Sequence, residues 1–448
     1  LGERGGVTGW GATGVAGGGA LLAWGLRGVA ARLTTHGARI AIMGGMAGSQ
    51  NVADAGPVPL LFLISDTGGG HRNAARAVGQ ALDRAYPGRF APVLCDPLGG
   101  PGSARLLRWV TGLYGPAIRL APWLWGAAYH VCDSRPAVGL LRRTLLRLAE
   151  RPAAEAARAC RPAAIVSFHP LTGPAAVAAR DRSVPGAPVV TVVTDLARTH
   201  AAWRYADVDL IIAPTAAGAR GTRRHVAAAR WVTAGPPVTR EFWGGPLQPG
   251  ERAILRRSLG LSETEFLVVL TGGGEGSGGI ARRAAAILRW FADVDVVAVC
   301  GRNSRLKRRL DRRAARCGGR LTVTGFTGHM ADLLRCCDLV VTKAGPGTIA
   351  EAACCGAPML LTSHVPGQEA GNSEVVAQAA AGRGLPGVRA LVAEIARLRQ
   401  DRPAVDAMRA ASARMSRPGA AADIARLLAD LAAPRTPAAP VPAPPGRT

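Results

Sequence analysis

The chain has 448 residues, 48% of them hydrophobic and 19% charged, which excludes a wholly disordered protein and allows two or three domains with ordinary cores. Its 58 glycines and 32 prolines follow no three-residue period, so a collagen-like chain is excluded as well. Lys+Arg 55 against Asp+Glu 30 gives a net charge of +25, nearly all from arginine, because Lys307 and Lys343 are the only lysines. Such a charge favours anionic membranes and polyanions. Aromatic residues make up 4% and no RNP-like or zinc-finger pattern occurs, so no specific nucleic-acid partner is expected. The nine cysteines are odd in number and form no C-x-x-C, and they read as small buried side chains in a reducing cytoplasm.

Residues 1–56 are rich in Gly and Ala and carry no charge from Gly5 to Leu26. Glycine adds little transfer free energy and Arg27 follows at once, so a poorly ordered leader, or a start placed too early, is expected there rather than a membrane span. From Pro59 the chain alternates short apolar runs with helical patterns. Strands are expected at Pro59–Ile64, Ala163–Phe168, Val189–Val193, Asp209–Ala213, Phe266–Leu270, Val294–Val299, Leu321–Val323, Leu339–Thr342 and Met359–Thr362. Helices are expected at Arg72–Ala85, Ile280–Phe291, Ser304–Cys317 and Thr348–Cys355. The alternation predicts parallel sheets covered by helices on both faces. The Gly/Pro-dense segment Trp243–Gly250 reads as a linker, giving an α/β domain at 57–242, a second at 251–400, C-terminal helices at 401–431 and a Pro/Ala tail at 432–448. Twin domains of this kind place a ligand cleft at the C-terminal edges of their sheets.

Three glycine-rich turns follow strands. In the first, Gly68, Gly69 and Gly70 precede His71 at the start of a helix. The positive end of the helix dipole disfavours imidazolium there, as a general base requires, but a capping turn with a solvent-facing histidine fits the same residues. The second, Gly272 to Gly279 with Gly273, Gly274 and Glu275, resembles a phosphate cradle without the Lys-Ser/Thr ending of a nucleoside-triphosphate loop, and a flexible lid fits it too. In the third, Lys343–Ala344–Gly345–Pro346–Gly347–Thr348 ends a strand and opens a helix whose free amides suit a diphosphate. Glu351, one turn on, could accept from ribose hydroxyls, or Thr348 and Glu351 could form a capping box. Gln368, Glu369 and Asn372 follow the next strand and suit the hydroxyls of a sugar.

Taken in order, S-D-T-G-G-G-H-R at 65–72, S-F-H-P-L at 167–171, T-V-V-T-D-L at 191–196, G-G-G-E-G at 272–276, T-K-A-G-P-G-T-I-A-E-A at 342–352 and P-G-Q-E-x-G-N at 366–372 resemble the monogalactosyldiacylglycerol synthase and processive diacylglycerol glucosyltransferase family. The enzyme that adds N-acetylglucosamine to the peptidoglycan lipid intermediate is a more distant likeness. The resemblance implies a GT-B fold of two Rossmann-like domains and an inverting, metal-independent transfer from a UDP-hexose to a lipid alcohol such as diacylglycerol, with no cofactor. It implies His71 as the base, the glycines 68–70 as an acceptor-side loop, and His169, Asp195 and Trp203 on the acceptor side of the cleft. It also implies that Phe326 meets uracil, that Gly345, Gly347 and Thr348 hold the diphosphate, Glu351 the ribose, and Gln368 and Glu369 the hexose. A nucleotide-sugar isomerase on the same fold and a non-catalytic nucleotide-sugar binder are the competing readings.

Two D-V-D triplets, 207–209 and 293–295, would suit a metal, but both open apolar strands and read as strand-edge aspartates. Residues 105–130 hold three of the nine Trp and two of the four Tyr among leucines and arginines. Trp109, Trp123 and Trp125 are therefore expected to touch an anionic membrane, as two short helices or a loop broken at Pro116 and Pro122. An apolar helix packed on its own domain fits the same stretch. With the lipid acceptor, the stretch places the protein at the inner face of the plasma membrane. The basic run Arg302–Arg320 reads as a solvated helix face.

Overall fold

The computed structural model describes residues 56–65, 69–203, 207–216, 230–263 and 265–433. The expected leader before Gly56, Gly68 of the first turn, and the tail beyond 433 lie outside the described residues.

The first half is a sheet of six parallel strands in the order β2-β1-β3-β4-β5-β6. These are β1 (Val58–Leu63), β2 (Phe90–Cys95), β3 (Ala164–Ser167), β4 (Val189–Val192), β5 (Leu210–Ala213) and β6 (Arg230–Thr233). The second half is another parallel sheet, in the order β12-β11-β10-β7-β8-β9. It comprises β7 (Phe266–Thr271), β8 (Val294–Val299), β9 (Leu321–Thr324), β10 (Leu339–Lys343), β11 (Met359–Ser363) and β12 (Gly382–Gly384). Each sheet reverses direction of growth once, between β1 and β3 in the first and between β7 and β10 in the second. Loops at the strand C-termini part at such a switch point and leave a crevice for a ligand.

The nine expected strands all occur. The three not foreseen, β2, β6 and β12, are sheet edges. An edge strand covers less apolar surface, so Pro92 in β2, the exposed ends of β6 and the glycines of β12 leave no continuous apolar run to read. The helices expected at 72–85, 280–291, 304–317 and 348–355 are α1 (Gly70–Ala85), α8 (Ile280–Trp290), α9 (Ser304–Ala314) and α11 (Pro346–Cys354). Between them lie α2 (Arg105–Leu120), α3 (Pro122–Cys132), α4 (Arg135–Leu141), α5 (Arg147–Cys160), α6 (Gly173–Ser183), α7 (Pro249–Ser258) and α10 (Met330–Cys336). After α11 come α12 (Asn372–Gln378), α13 (Val388–Gln400), α14 (Arg402–Met415) and α15 (Ala420–Ala432). Along α9 only Leu310 is buried, so the basic run is a solvated face.

The linker is not a loose tether. Trp243 packs against the cores of both halves, and its indole N–H donates to the Val238 carbonyl at 3.0 Å. The chain then crosses back. α14 seals the second half through Ser412, which donates to the Ala357 carbonyl at 2.8 Å. α15 leaves that half and places Ile424, Ala425 and Leu428 in the core beneath α1 and the first sheet.

The cysteines form no disulfide, and five of the nine are buried. Burial pushes Cys300, Cys336 and Cys354 up to about 11, which keeps them as thiols. The triplet aspartates are tied to strand edges. Asp209 Oδ2 accepts from the Val189 amide at 2.7 Å, and Asp293 pairs with Arg399.

Candidate active site

The first switch point carries the histidines. Gly69 caps α1 with φ +79°, a left-handed conformation that a side chain resists, and this turn sets His71 inward instead of toward solvent. The alanine and valine stripe Ala74, Ala75, Val78 and Leu82 holds that face of α1 on the sheet. His71 is 6% exposed. Its Nδ1 lies 2.8 Å from the Phe168 carbonyl, just beyond β3, and 3.0 Å from the Thr194 hydroxyl, just beyond β4. A carbonyl can only accept, so Nδ1 carries the proton and Nε2 keeps its lone pair. Burial lowers the imidazole to about 4, outweighing the Phe168 hydrogen bond that raises it, so the ring is neutral near pH 7. The solvent-facing capping turn is excluded.

His169 meets His71 edge-on with ring centroids 4.5 Å apart, while its Nδ1 accepts from the Leu171 amide at 3.2 Å. Burial, then the neighbouring His71, lowers it well below the usual range. Trp203 lies 6.3 Å from His71 between ring centroids and donates from Nε1 to Asp195 Oδ2 at 2.6 Å. Asp195 is buried and raised to about 7, chiefly by desolvation, against the hydrogen bonds from Trp203 and His200 that lower it.

His71 and Asp195 have opposite linkage. Below pH 6.5 the unfolded chain takes up the histidine proton first, so His71 costs stability as pH falls to about 4. Between about 7 and 3.8 the folded chain protonates Asp195 first, so Asp195 adds stability over nearly the same window. Asp195→Asn is therefore expected to uncover the histidine loss, roughly 3 kcal/mol more acid destabilisation than wild type between pH 6.5 and 4 in denaturant titrations. Equal pH slopes in variant and wild type would refute this opposition.

The second switch point carries the glycine turns. Gly276, at φ +58°, lies so close to the Cys300 carbonyl that any Cβ would overlap it, and the Arg302 amide donates to the Gly274 carbonyl at 2.8 Å. The turn after β7 is thus fastened to the turn after β8. Glu275 reaches Arg302 at 3.5 Å on the surface, and Arg302 in turn covers the Phe326 ring at 5.4 Å. Phe326, after β9, is 67% exposed.

Gly345 is the N-cap of α11 and Pro346 its first residue, so the amides of Gly347 and Thr348 open the helix. Thr348 lies inside the helix and makes no cap hydrogen bond, which removes the capping-box reading. Burial, with the Glu241 carboxylate as the smaller cause, pushes Glu351 up to about 8. Lys343 pairs with Glu369, whose other oxygen accepts from the Val365 amide at 2.8 Å. A Cβ on Gly345 would lie 3.3 Å from the Lys343 ammonium, so that cation stands at the mouth of α11.

Two expectations are corrected. Asn372 does not present its amide to a ligand: Oδ1 accepts from the Ala197 amide at 3.2 Å and Nδ2 donates to the Ala344 carbonyl at 2.8 Å, so it fastens one half to the other. Trp125 is half-buried rather than turned outward. Its indole N–H is buried and its ring stands edge-on to Tyr114 at 4.9 Å. Trp109 and Trp123 do face outward, 64% and 73% exposed, beside the exposed Leu106, Leu113, Leu120 and Leu124 on α2 and α3. The break between these helices falls at Ala121, and Pro116 is accommodated inside α2. Among the described residues no helix is long and apolar enough to cross a membrane.

Sequence reasoning missed Thr194, Lys343 and Tyr114 as site residues. Lys343 carried a signal, as one of two lysines among 55 Lys+Arg. Thr194 carried none, since only the fold brings β4 beside α1.

Two linked Rossmann-type sheets, with a neutral buried histidine at one switch point and a helix N-terminus at the other, form the GT-B architecture. The profile of the Glycosyltransferase family 28 C-terminal domain matches residues 267–424. The rice protein "Probable monogalactosyldiacylglycerol synthase 2, chloroplastic" (Oryza sativa subsp. indica) is 32% identical over 333 residues, 72% of this chain and 70% of that protein. Monogalactosyldiacylglycerol synthase 1, chloroplastic, of Arabidopsis thaliana is 30% identical over 337 residues, 73% of this chain and 62% of that one. Acinetobacter baumannii MurG shares the fold at a TM-score of 0.54 and 16% identity, covering 84% of this chain and 100% of that structure. Sucrose-phosphate synthase of Thermosynechococcus elongatus shares it at 0.52 and 16%, covering 84% and 99%. The chain belongs to the monogalactosyldiacylglycerol synthase family of glycosyltransferases.

Proposed function

We propose that the protein transfers a hexose from a UDP-hexose to the hydroxyl of a diacylglycerol-type lipid, with inversion and without a metal ion or cofactor. The observation that carries this reading is His71, neutral, buried and held by Phe168 so that Nε2 is the basic nitrogen. In the reaction Nε2 takes the acceptor proton, the acceptor oxygen bonds to the anomeric carbon, and the bond from that carbon to the UDP oxygen breaks. Charge growing on the diphosphate meets the Gly347 and Thr348 amides and the Lys343 ammonium. Glu351 in its protonated form can both donate to and accept from ribose hydroxyls. Phe326 and the Gly273–Glu275 turn border the nucleotide, and Gln368 and Glu369 the hexose. His169, Asp195 and Trp203 shape the acceptor side around the base.

The relatives' names favour galactose and diacylglycerol. The outward Trp109 and Trp123 supply a lipid-facing surface, and the positive charge favours an anionic one. The same reading puts the protein peripherally on the inner face of the plasma membrane, whereas the named relatives are chloroplastic.

Purified protein incubated with a panel of UDP-hexoses, diacylglycerol in phosphatidylglycerol vesicles and a chelator is expected to yield a monohexosyl lipid of inverted anomeric configuration. No product from any donor, a retained configuration, or loss of product with the chelator would overturn the reading. In the same system, replacing Trp109 and Trp123 by serine is expected to reduce vesicle co-sedimentation and leave UDP affinity unchanged.

A further inference from the structure

Tyr114 belongs to the first half, on α2, yet its hydroxyl donates to Oε1 of Gln368 in the second half at 3.1 Å. The contact is not isolated. Trp125 of α3 stands edge-on against the Tyr114 ring at an interplanar angle of 84°. Gly126 of α3 is pressed on the next loop so closely that a Cβ there would lie 2.7 Å from Pro366 Cβ. Gly367, at φ +81°, faces the Tyr129 ring, which a Cβ would overlap. The α2–α3 pair therefore holds three consecutive residues, Pro366, Gly367 and Gln368, of the loop that follows β11.

A primary amide has one accepting end and one donating end. The Tyr114 hydroxyl engages the carbonyl of Gln368, a bond that uses neither of its two N–H donors. In the structure the phenol donates and the Gln368 Oε1 accepts, and burial, then the carboxylates of Glu369 and Asp195, keep the phenol protonated far above neutral pH, so that it retains the proton this bond needs. We propose that Tyr114 is a positioning residue for the donor sugar: by holding the Gln368 carbonyl it presents the Gln368 amide N–H groups to the hexose hydroxyls. This rests on the reading that Gln368 borders the hexose. It goes beyond that reading by giving Gln368 a donor role and by assigning its orientation to an element of the lipid-side half. The outward face of the same two helices carries Trp109 and Trp123, so one helical pair serves both the lipid surface and the sugar.

The test is Tyr114→Phe, which removes the hydroxyl and keeps the ring against Trp125. UDP and UDP-hexose affinities are measured by calorimetry, and KM and kcat by steady-state assay. The expected result is a roughly tenfold rise in KM and Kd for UDP-hexose, with kcat and UDP affinity unchanged. Gln368→Glu, which removes the amide donors, is expected to reproduce that pattern. Wild-type KM in Tyr114→Phe, a fall in kcat with KM unchanged, or equal losses of UDP and UDP-hexose affinity would overturn the proposal. Wild-type protein that binds UDP and no UDP-hexose would overturn the donor reading along with it, which separates the two failures.

Discussion

Replacing His71 by glutamine is expected to lower kcat by about 10²–10⁴-fold, the range over which a positioned general base contributes, while UDP affinity stays at the wild-type value. Glutamine keeps a donor for the Phe168 carbonyl and loses only the basic Nε2. Because the wild-type imidazole is lowered to about 4, its deprotonation should not limit turnover until the pH approaches that value. A conventional surface histidine would lose activity near its usual 6.5 instead. Wild-type turnover in His71→Gln would remove the base assignment, whereas an acid limb near 6.5 that disappears in the variant would keep His71 as the base and overturn its lowered pKa.

The second large effect concerns stability. Asp338, just before β10, is 3% exposed and accepts from Arg256 at 2.8 Å, from the Leu267 amide at 2.8 Å and from Arg402 at 3.0 Å. Arg256 on α7, itself buried, also donates to the carbonyls of Cys336 and Glu265 at 2.9 Å each. This network fastens β7 to β10 at the switch point of the second sheet. Asp338→Ala is expected to cost about 3–5 kcal/mol in denaturant unfolding, since it leaves the Arg256 charge buried without its partner. The double change Arg256→Met with Asp338→Leu is expected to recover most of that loss, because both buried charges go together and the remaining partner, Arg402, is half exposed to water. A cost below about 1 kcal/mol for the single variant would show that the pair is not the lock described here.

Much of this architecture was legible in the chain. Central strands announce themselves because both faces are covered: Leu60 to Ile64 and Val294 to Val299 admit few polar side chains. The edges were silent for the complementary reason. The glycine turns were readable as turns, yet their bearing was not: that His71 points inward depends on the Phe168 carbonyl, 97 residues away. Asn372 and Trp125 show the limit of reading residue type as role. An amide in the P-G-Q-E-x-G-N motif and an indole in an aromatic-basic stretch both suit ligands, but tertiary neighbours engage Asn372 on both sides and bury the N–H edge of Trp125. Tyr114 was drawn into the membrane stretch by the company it keeps in sequence, and only the fold shows its hydroxyl turned to the other half.

The return of α15 to the first sheet bears on how the molecule is made. The half that carries His71 leaves the ribosome first, but Ile424 and Leu428, which close one side of its core, are among the last described residues to be synthesised. Until they arrive, Val78, Leu82 and the underside of α1 lack part of their cover, an exposed apolar surface of the kind that makes incomplete chains prone to aggregate. Folding of the half that carries His71 is therefore expected to await the C-terminal helix α15, which follows the second sheet in the chain.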